Sequence, residues 1–230
     1  PIKKHTPQER KDVITMLTKS VKASVPYQYQ QSVLNLLKEY EDVFSANKND
    51  IGFCPVLEHT INLKHKRPVF RPQYKLPDDH FQAIKDQTLA WMKAGIVKRC
   101  QSNYNNPIFA VPKPHNRGIR VVLDFRKLND ATLADKYCVP SVDDTLQRIG
   151  QAGAEWFSSI DLSSGFYHIP LRESDQHLTA YTLPGLGSFA WSRAAMGLTG
   201  SPASFNRVLD AILSQVDNCI TYVDDIFCFT

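Results

Sequence analysis

An α+β fold is predicted by three features of the 230-residue chain. Apolar residues recur at helical spacing in the first fifty positions, and alternating apolar runs separated by turn residues follow. Near the C-terminal end, Ile220-Thr221-Tyr222-Val223 and Ile226-Phe227-Cys228-Phe229 are rich in β-branched and aromatic residues, which favour pleated strands. Asp224-Asp225 lies between them as the turn, so the segment reads as a β-hairpin with two carboxylates at its tip. Adjacent carboxylates among apolar strands repel each other and resist burial unless a positive charge sits between them. A divalent metal ion answers that requirement; a solvated polar turn avoids it. The pair alone does not decide between the two.

Composition narrows the class. With 43% apolar residues the chain can bury one large core or two small ones. Against 23 Asp and Glu stand 27 Lys and Arg, a net charge of +4 that permits an acidic partner without requiring one. The five cysteines, Cys54, Cys100, Cys138, Cys219 and Cys228, are odd in number and form no C-x-x-C pattern. That argues for reduced thiols and an intracellular location, and against a zinc site or a disulfide framework. No apolar run approaches a bilayer span and no charged segment leads into an apolar one at the start, so neither a membrane anchor nor a signal is expected.

In chain order, Thr6-Pro7-Gln8-Glu9 combines an N-cap, a Pro at the first helical position and a Glu three after the cap, predicting a helix toward Lys22 with Val13, Ile14 and Leu17 as its stripe. A second helix is expected from Gln28 to Phe44, with Val33, Leu36, Leu37, Tyr40 and Phe44 on one side. Residues 45 to 52 are mostly polar turn formers and mark a boundary. His59 to Leu63 alternates as a strand and leads into Lys64, His65, Lys66, Arg67, Arg71 and Lys75, interleaved with Val69, Phe70 and Tyr74. Such a segment suits a phosphate backbone, or an edge strand protected by charge. Asp78 can cap a helix lined by Phe81, Ile84, Thr88, Leu89 and Met92 and ended by Gly95.

Asn106 to Lys113 and Gly118 to Asp124 read as strands joined by a turn at Pro114-His115-Asn116-Arg117, with Lys113, Arg117 and Arg120 near the tip. Clustered cations there suit a polyphosphate, although charged hairpins are also ordinary surface features. Trp156 to Leu162 reads as a buried strand carrying Asp161, after which Ser163-Ser164-Gly165-Phe166-Tyr167 turns away. Pro202 opens a last helix with Phe205, Val208, Leu209 and Ile212 on one face.

Four stretches together resemble the successive motifs of reverse transcriptases: Leu123-Asp124-Phe125-Arg126-Lys127-Leu128-Asn129, Phe157 to Phe166, Met196 to Phe205, and Tyr222-Val223-Asp224-Asp225. They stand in the family's order. The likeness is to gypsy-type LTR retrotransposons and runs from roughly residue 36 to 230, with Leu36 to Ser45 resembling the connector before the polymerase. The resemblance implies a right-hand polymerase: an N-terminal helical connector at 1–50, fingers at 51–133 and 169–200, and palm at 134–168 and 201–230. It implies an RNA-directed DNA polymerase, a nucleotidyltransferase, that extends a primer on an RNA or DNA template with deoxynucleoside triphosphates. Catalysis would use two Mg²⁺ ions roughly 4 Å apart, with Mn²⁺ as an alternative, held by Asp161, Asp224 and Asp225.

Residue by residue, the resemblance puts Lys113 and Arg120 on the triphosphate and Phe166 beneath the sugar as a steric gate against a 2′-hydroxyl. It gives Ser164 and Gly165 backbone contacts to the nucleotide, and places Tyr222 and Val223 beside the primer end. Met196 stands where retroviral enzymes have Gln and many gypsy-type elements have Phe, so hydrogen bonding to the nucleotide does not carry over at that position. The family's primer grip, thumb, connection and RNase H regions have no counterpart before Thr230, and the chain is expected to be a fragment or part of a longer product. A homodimer or other Pol products, and a cytoplasmic virus-like particle, are implied as partners and setting. The alternative from another class is a non-catalytic structural or nucleic-acid-binding subunit that keeps the polymerase fold.

Overall fold

The computed structural model describes residues 5–47, 50–114, 118–137, 141–222 and 225–230, and the chain divides into two compact units, Pro1–Gly52 and Phe53–Thr230. In the first unit α1 spans Pro7–Ser24 and starts on the expected reciprocal cap, with the Glu9 amide donating to the Thr6 hydroxyl and the Thr6 amide donating to the Glu9 carboxylate. Val13, Leu17 and Val21 form its buried stripe. α2, Tyr27–Glu39, is shorter than its periodicity suggests and buries no residue. Tyr40 leaves the helical conformation and Glu41–Val43 becomes a 3-10 turn, with the Glu41 carboxylate paired to Arg10 of α1. That ion pair sits where the sequence alone continues the helix to Phe44.

The second unit holds α3 (Asp78–Lys93), β1 (Val97–Arg99), β2 (Ile108–Pro112), β3 (Ile119–Leu123), α4 (Arg126–Ala131), α5 (Val142–Gln151) and β4 (Phe157–Asp161). β5 (Tyr181–Leu183), β6 (Gly187–Trp191), α6 (Ser201–Leu213), β7 (Cys219–Tyr222) and β8 (Asp225–Phe229) complete it. The strands form three antiparallel sheets in the orders β1-β6-β5, β2-β3 and β4-β8-β7. Trp91 of α3, Tyr167 and Trp191 of β6 meet with ring centroids 4.8 to 6.5 Å apart. This aromatic cluster buries large apolar area and ties α3 to the sheet of β1, β6 and β5.

Expectations for α3, α6 and β4 are corrected. Asp78 is the first residue of α3, not its cap, and the buried stripe is Ile84, Thr88 and Trp91 while Leu89 and Met92 stay partly exposed. Of the expected stripe of α6, Phe205, Val208 and Leu209 are buried but Ile212 is exposed. Trp156 and Phe157, read as part of a buried strand, are 70% and 62% exposed. All five residues of β4 are exposed, so neither face of this strand is covered by another element among the described residues.

His59 to Leu63 is extended but belongs to no sheet; it is a strap making isolated bridges to Leu171 and Thr132. The His59 amide donates to the Pro170 carbonyl, the Arg172 amide donates to the His59 carbonyl, and the Ile61 amide donates to the Asp175 carboxylate. The His59 ring is buried, lies 2.8 Å from the Ser204 hydroxyl of α6 through Nδ1, and presses on Gly200 so closely that a Cβ there would be 2.9 Å from its Cε1. Burial pushes its pKa down to about 4, against smaller opposing effects of Asp135 and Asp175.

The folded chain therefore keeps His59 neutral at pH values where the unfolded chain binds a proton, and stability falls as pH drops from the ordinary histidine range toward 4. The full loss corresponds to roughly 3 kcal/mol. Urea unfolding of the wild type and of His59→Asn, at a series of pH values between 7 and 4, should show a steeper decline for the wild type. Parallel curves would remove His59 as the source.

Candidate active site

Two carboxylates are brought together by strand register. β4 and β8 pair so that Asp161 lies opposite Asp225, and β7 and β8 pair so that Asp225 lies opposite Tyr222. Asp225 is thus the first residue of β8, not part of the turn. Val223 and Asp224 lie outside the described residues, as does the Tyr222 side chain. Residues directly opposite on antiparallel strands point to the same face with Cβ atoms about 4.5–5.5 Å apart, and like charges there destabilise the pairing. Among the described residues neither carboxylate forms an ion pair with Lys, Arg or His. No group of three or more His, Cys, Asp or Glu suited to a metal occurs among the described residues. The facing pair offers hard oxygen donors and uncompensated negative charge, a donor set that fits Mg²⁺.

The chain leaves β4 through a turn held from two directions. Ser164 adopts a left-handed conformation with φ 53°, and Gly165–His168 forms a 3-10 turn. A Cβ on Gly165 would lie 2.6 Å from Cζ of Phe205, so the α6 ring leaves room only for glycine. Phe166 meets that same ring edge-on, centroids 5.3 Å apart, while the next residue, Tyr167, is buried against Trp91 and Trp191. Phe166 itself stays half-buried.

Lys113 and Arg120 share one face of the β2–β3 hairpin. Val111 pairs with Arg120 and the Lys113 amide donates to the Gly118 carbonyl, so the alternation of strand side chains points 111, 113 and 120 the same way. Ile108, Ala110 and Leu123 bury the opposite face. Both cations are exposed, and neither pairs with an acid among the described residues. Arg117 lies outside the described residues.

At the base of the hairpin sits a cluster that the sequence did not reveal. The Asp124 side chain is 1% exposed and accepts from Arg71 at 2.9 Å, from Arg126 through Nε and Nη2 at 2.8 Å each, and from the Tyr74 hydroxyl. The Arg126 guanidinium, with Tyr74, holds its carboxyl well below the usual carboxylate range. Arg71 and Tyr74, part of a segment that suited either a phosphate backbone or a solvated edge strand, are turned onto this acid. The available signal was an Asp directly after an apolar strand and two residues before Arg126.

Met196 stands on a loop between β6 and α6 and is 47% exposed. Asn129 of α4 pins that loop by donating to the Gly197 carbonyl at 2.8 Å and accepting from the Thr199 amide at 3.0 Å. Gly197 has φ 90°, and the Ser201 hydroxyl donates to the Ala195 carbonyl. The described geometry therefore sets Asp161 opposite Asp225, packs Gly165 and Phe166 against Phe205, places Lys113 and Arg120 on one hairpin face, and ties the Met196 loop to Asn129.

The reverse transcriptase (RNA-dependent DNA polymerase) family model matches residues 111–230. The retrovirus-related Pol polyprotein from transposon 297 of Drosophila melanogaster is 32% identical over 201 residues, covering 85% of this chain and 19% of that protein. The one from transposon gypsy of the same organism is 31% identical over 207 residues, covering 84% and 20%. The foamy viral protease-reverse transcriptase in complex with RNA/DNA hybrid superposes with a TM-score of 0.79 at 26% identity, covering 100% of this chain and 30% of that one. The chain thus spans about a fifth of the length of the curated relatives it matches.

The contact between Gly165 and Phe205 yields a double-mutant test. Gly165→Ala should cost about 1–3 kcal/mol through overpacking, and the cost should shrink when Phe205→Leu removes the ring atoms it meets. Urea unfolding of the four proteins measures the coupling; strict additivity would show that Phe205 does not restrict the turn.

Proposed function

Since the chain belongs to the reverse transcriptase (RNA-dependent DNA polymerase) family, we propose that it is the fingers and most of the palm of an RNA-directed DNA polymerase within the Pol polyprotein of a gypsy-type LTR retrotransposon. The observation that carries the reading is the register pairing Asp161 with Asp225. Asp224, the neighbour of Asp225 in sequence, is the third carboxylate. Fingers comprise 51–133 and 169–200, palm 134–168 and 201–230, behind a connector at 1–50.

Asp161, Asp224 and Asp225 would hold Mg²⁺, or Mn²⁺ in its place. When bound, two such ions supply charge neutralisation at the triphosphate and activation of the primer 3′-hydroxyl. The chain's own residues do the positioning. Lys113 and Arg120, exposed on one hairpin face, bind the triphosphate by charge-assisted contacts. Phe166, held by Phe205 and by the burial of Tyr167, stands under the deoxyribose and excludes a 2′-hydroxyl. Ser164 and Gly165 present backbone groups to the nucleotide. Met196 gives it an apolar contact where a hydrogen-bonding side chain is absent, and Tyr222 and Val223 lie against the primer end. The partners are an RNA or DNA template with its primer and deoxynucleoside triphosphates, with a homodimer or other Pol products in a cytoplasmic virus-like particle.

Primer extension by the Pol protein carrying this chain tests the assignment. Asp161→Asn should lower extension by about 100-fold or more, a loss of roughly 3 kcal/mol of transition-state stabilisation, while template–primer binding persists. In the same assay Phe166→Val should raise ribonucleotide use relative to deoxynucleotide use. Extension by Asp161→Asn at the wild-type rate would overturn the catalytic reading, and an unchanged sugar ratio would remove Phe166 from the nucleotide site.

A further inference from the structure

Two of the free thiols face each other across the hairpin that carries Asp225. Cys219 of β7 pairs in register with Cys228 of β8, and the Cys228 thiol donates to the Cys219 sulfur at 3.8 Å. The Phe229 amide donates to the Asn218 carbonyl at 3.0 Å, so the neighbouring 219/228 pair is of the non-hydrogen-bonded kind. In such pairs the Cα atoms approach to about 4.5 Å and the side chains come closest. A disulfide needs Cα atoms about 4.4–6.8 Å apart, a span this register supplies without moving either strand. Cys219 also lines a cleft of about 210 Å³ beside Arg148 and Asp210, which gives a small oxidant access to the sulfur. The two cysteines are nine residues apart in sequence, a spacing that matches no redox motif.

We propose that Cys219 and Cys228 form a dithiol modification site, which a two-electron oxidant of the peroxide class converts into a disulfide that ties β7 to β8 in the hairpin that carries Asp225. The thiolate of one cysteine attacks a peroxide oxygen, giving a sulfenic acid and, after protonation of the leaving hydroxide, one water. The second thiol's sulfur attacks the sulfenic sulfur and expels the second water. Two thiols lose two electrons and two protons, and hydrogen peroxide is reduced to two waters. Burial, together with the neighbouring Cys228, pushes the Cys219 thiol up to about 11, so thiolate is scarce at neutral pH and the reaction quickens as pH rises.

Between Val208 and Thr230 the sequence holds both cysteines and no Lys or Arg, so the tryptic peptide that starts at Val208 carries both and reports the outcome. After treatment of the full chain with hydrogen peroxide at pH 8, this peptide should be lighter by two hydrogens and resist alkylation until reduced. Cys228→Ser should abolish the change and leave Cys219 open to alkylation. Against a glutathione buffer, the disulfide should be favoured at least tenfold more in the folded chain than in urea. Independent over-oxidation of the two sulfurs, continued alkylation of both, or equal glutathione equilibria in the folded and unfolded chain would each overturn the proposal.

Discussion

The antiparallel register of β4 with β8 is the constraint on which the rest of the site depends. It places Asp161 opposite Asp225 although the two lie 64 positions apart in the chain. A slip of one residue would turn one carboxylate to the other face of the sheet. Register is set here by packing: Ile226 of β8, on the face opposite Asp225, is buried and joins Phe205, Val208 and Leu209 of α6 in one apolar cluster. The hydrophobic face thus fixes where the charges stand, and the repulsion between them is the cost of that placement until a cation relieves it.

The same helix sets the next residues along. Phe205 belongs to the cluster under β8 and also walls in Gly165 and Phe166. One aromatic side chain therefore couples the carboxylate strands to the turn that follows Asp161. Around this centre two polar anchors hold the remaining pieces: Asp124 gathers Arg71, Tyr74 and Arg126 at the base of the Lys113–Arg120 hairpin, and Asn129 ties down the loop bearing Met196. Asp124 is buried with three partners, an arrangement in which loss of the acid would leave two guanidinium groups without their counter-charge.

Much of this was legible in the chain itself, for identifiable reasons. Thr6 and Glu9 announce α1 because a reciprocal cap is local, and the alternation in 106–124 announces β2 and β3 because one face is buried. Asp161 and the Asp224-Asp225 pair were visible as motif residues, but nothing in periodicity brings residue 161 to residue 225; that requires the sheet order. Exposure at Trp156 and Phe157 does not follow from the sequence because an apolar run does not say whether anything covers the faces of its strand. The strap at His59 looked like a strand since alternation reflects burial of His59 and Ile61, which a bridge to Leu171 satisfies as well as a sheet does. Arg71 and Tyr74 looked solvent-facing because their partner, Asp124, lies 53 and 50 residues away.

The central claim, that Asp161 and Asp225 face each other to share a divalent cation, is tested most directly by diffraction at the manganese absorption edge from crystals of the chain grown with Mn²⁺. The account predicts an anomalous peak within coordination distance, about 2.0–2.6 Å, of carboxylate oxygens from both residues. A peak elsewhere, or none in crystals whose β4 and β8 keep this register, would contradict it.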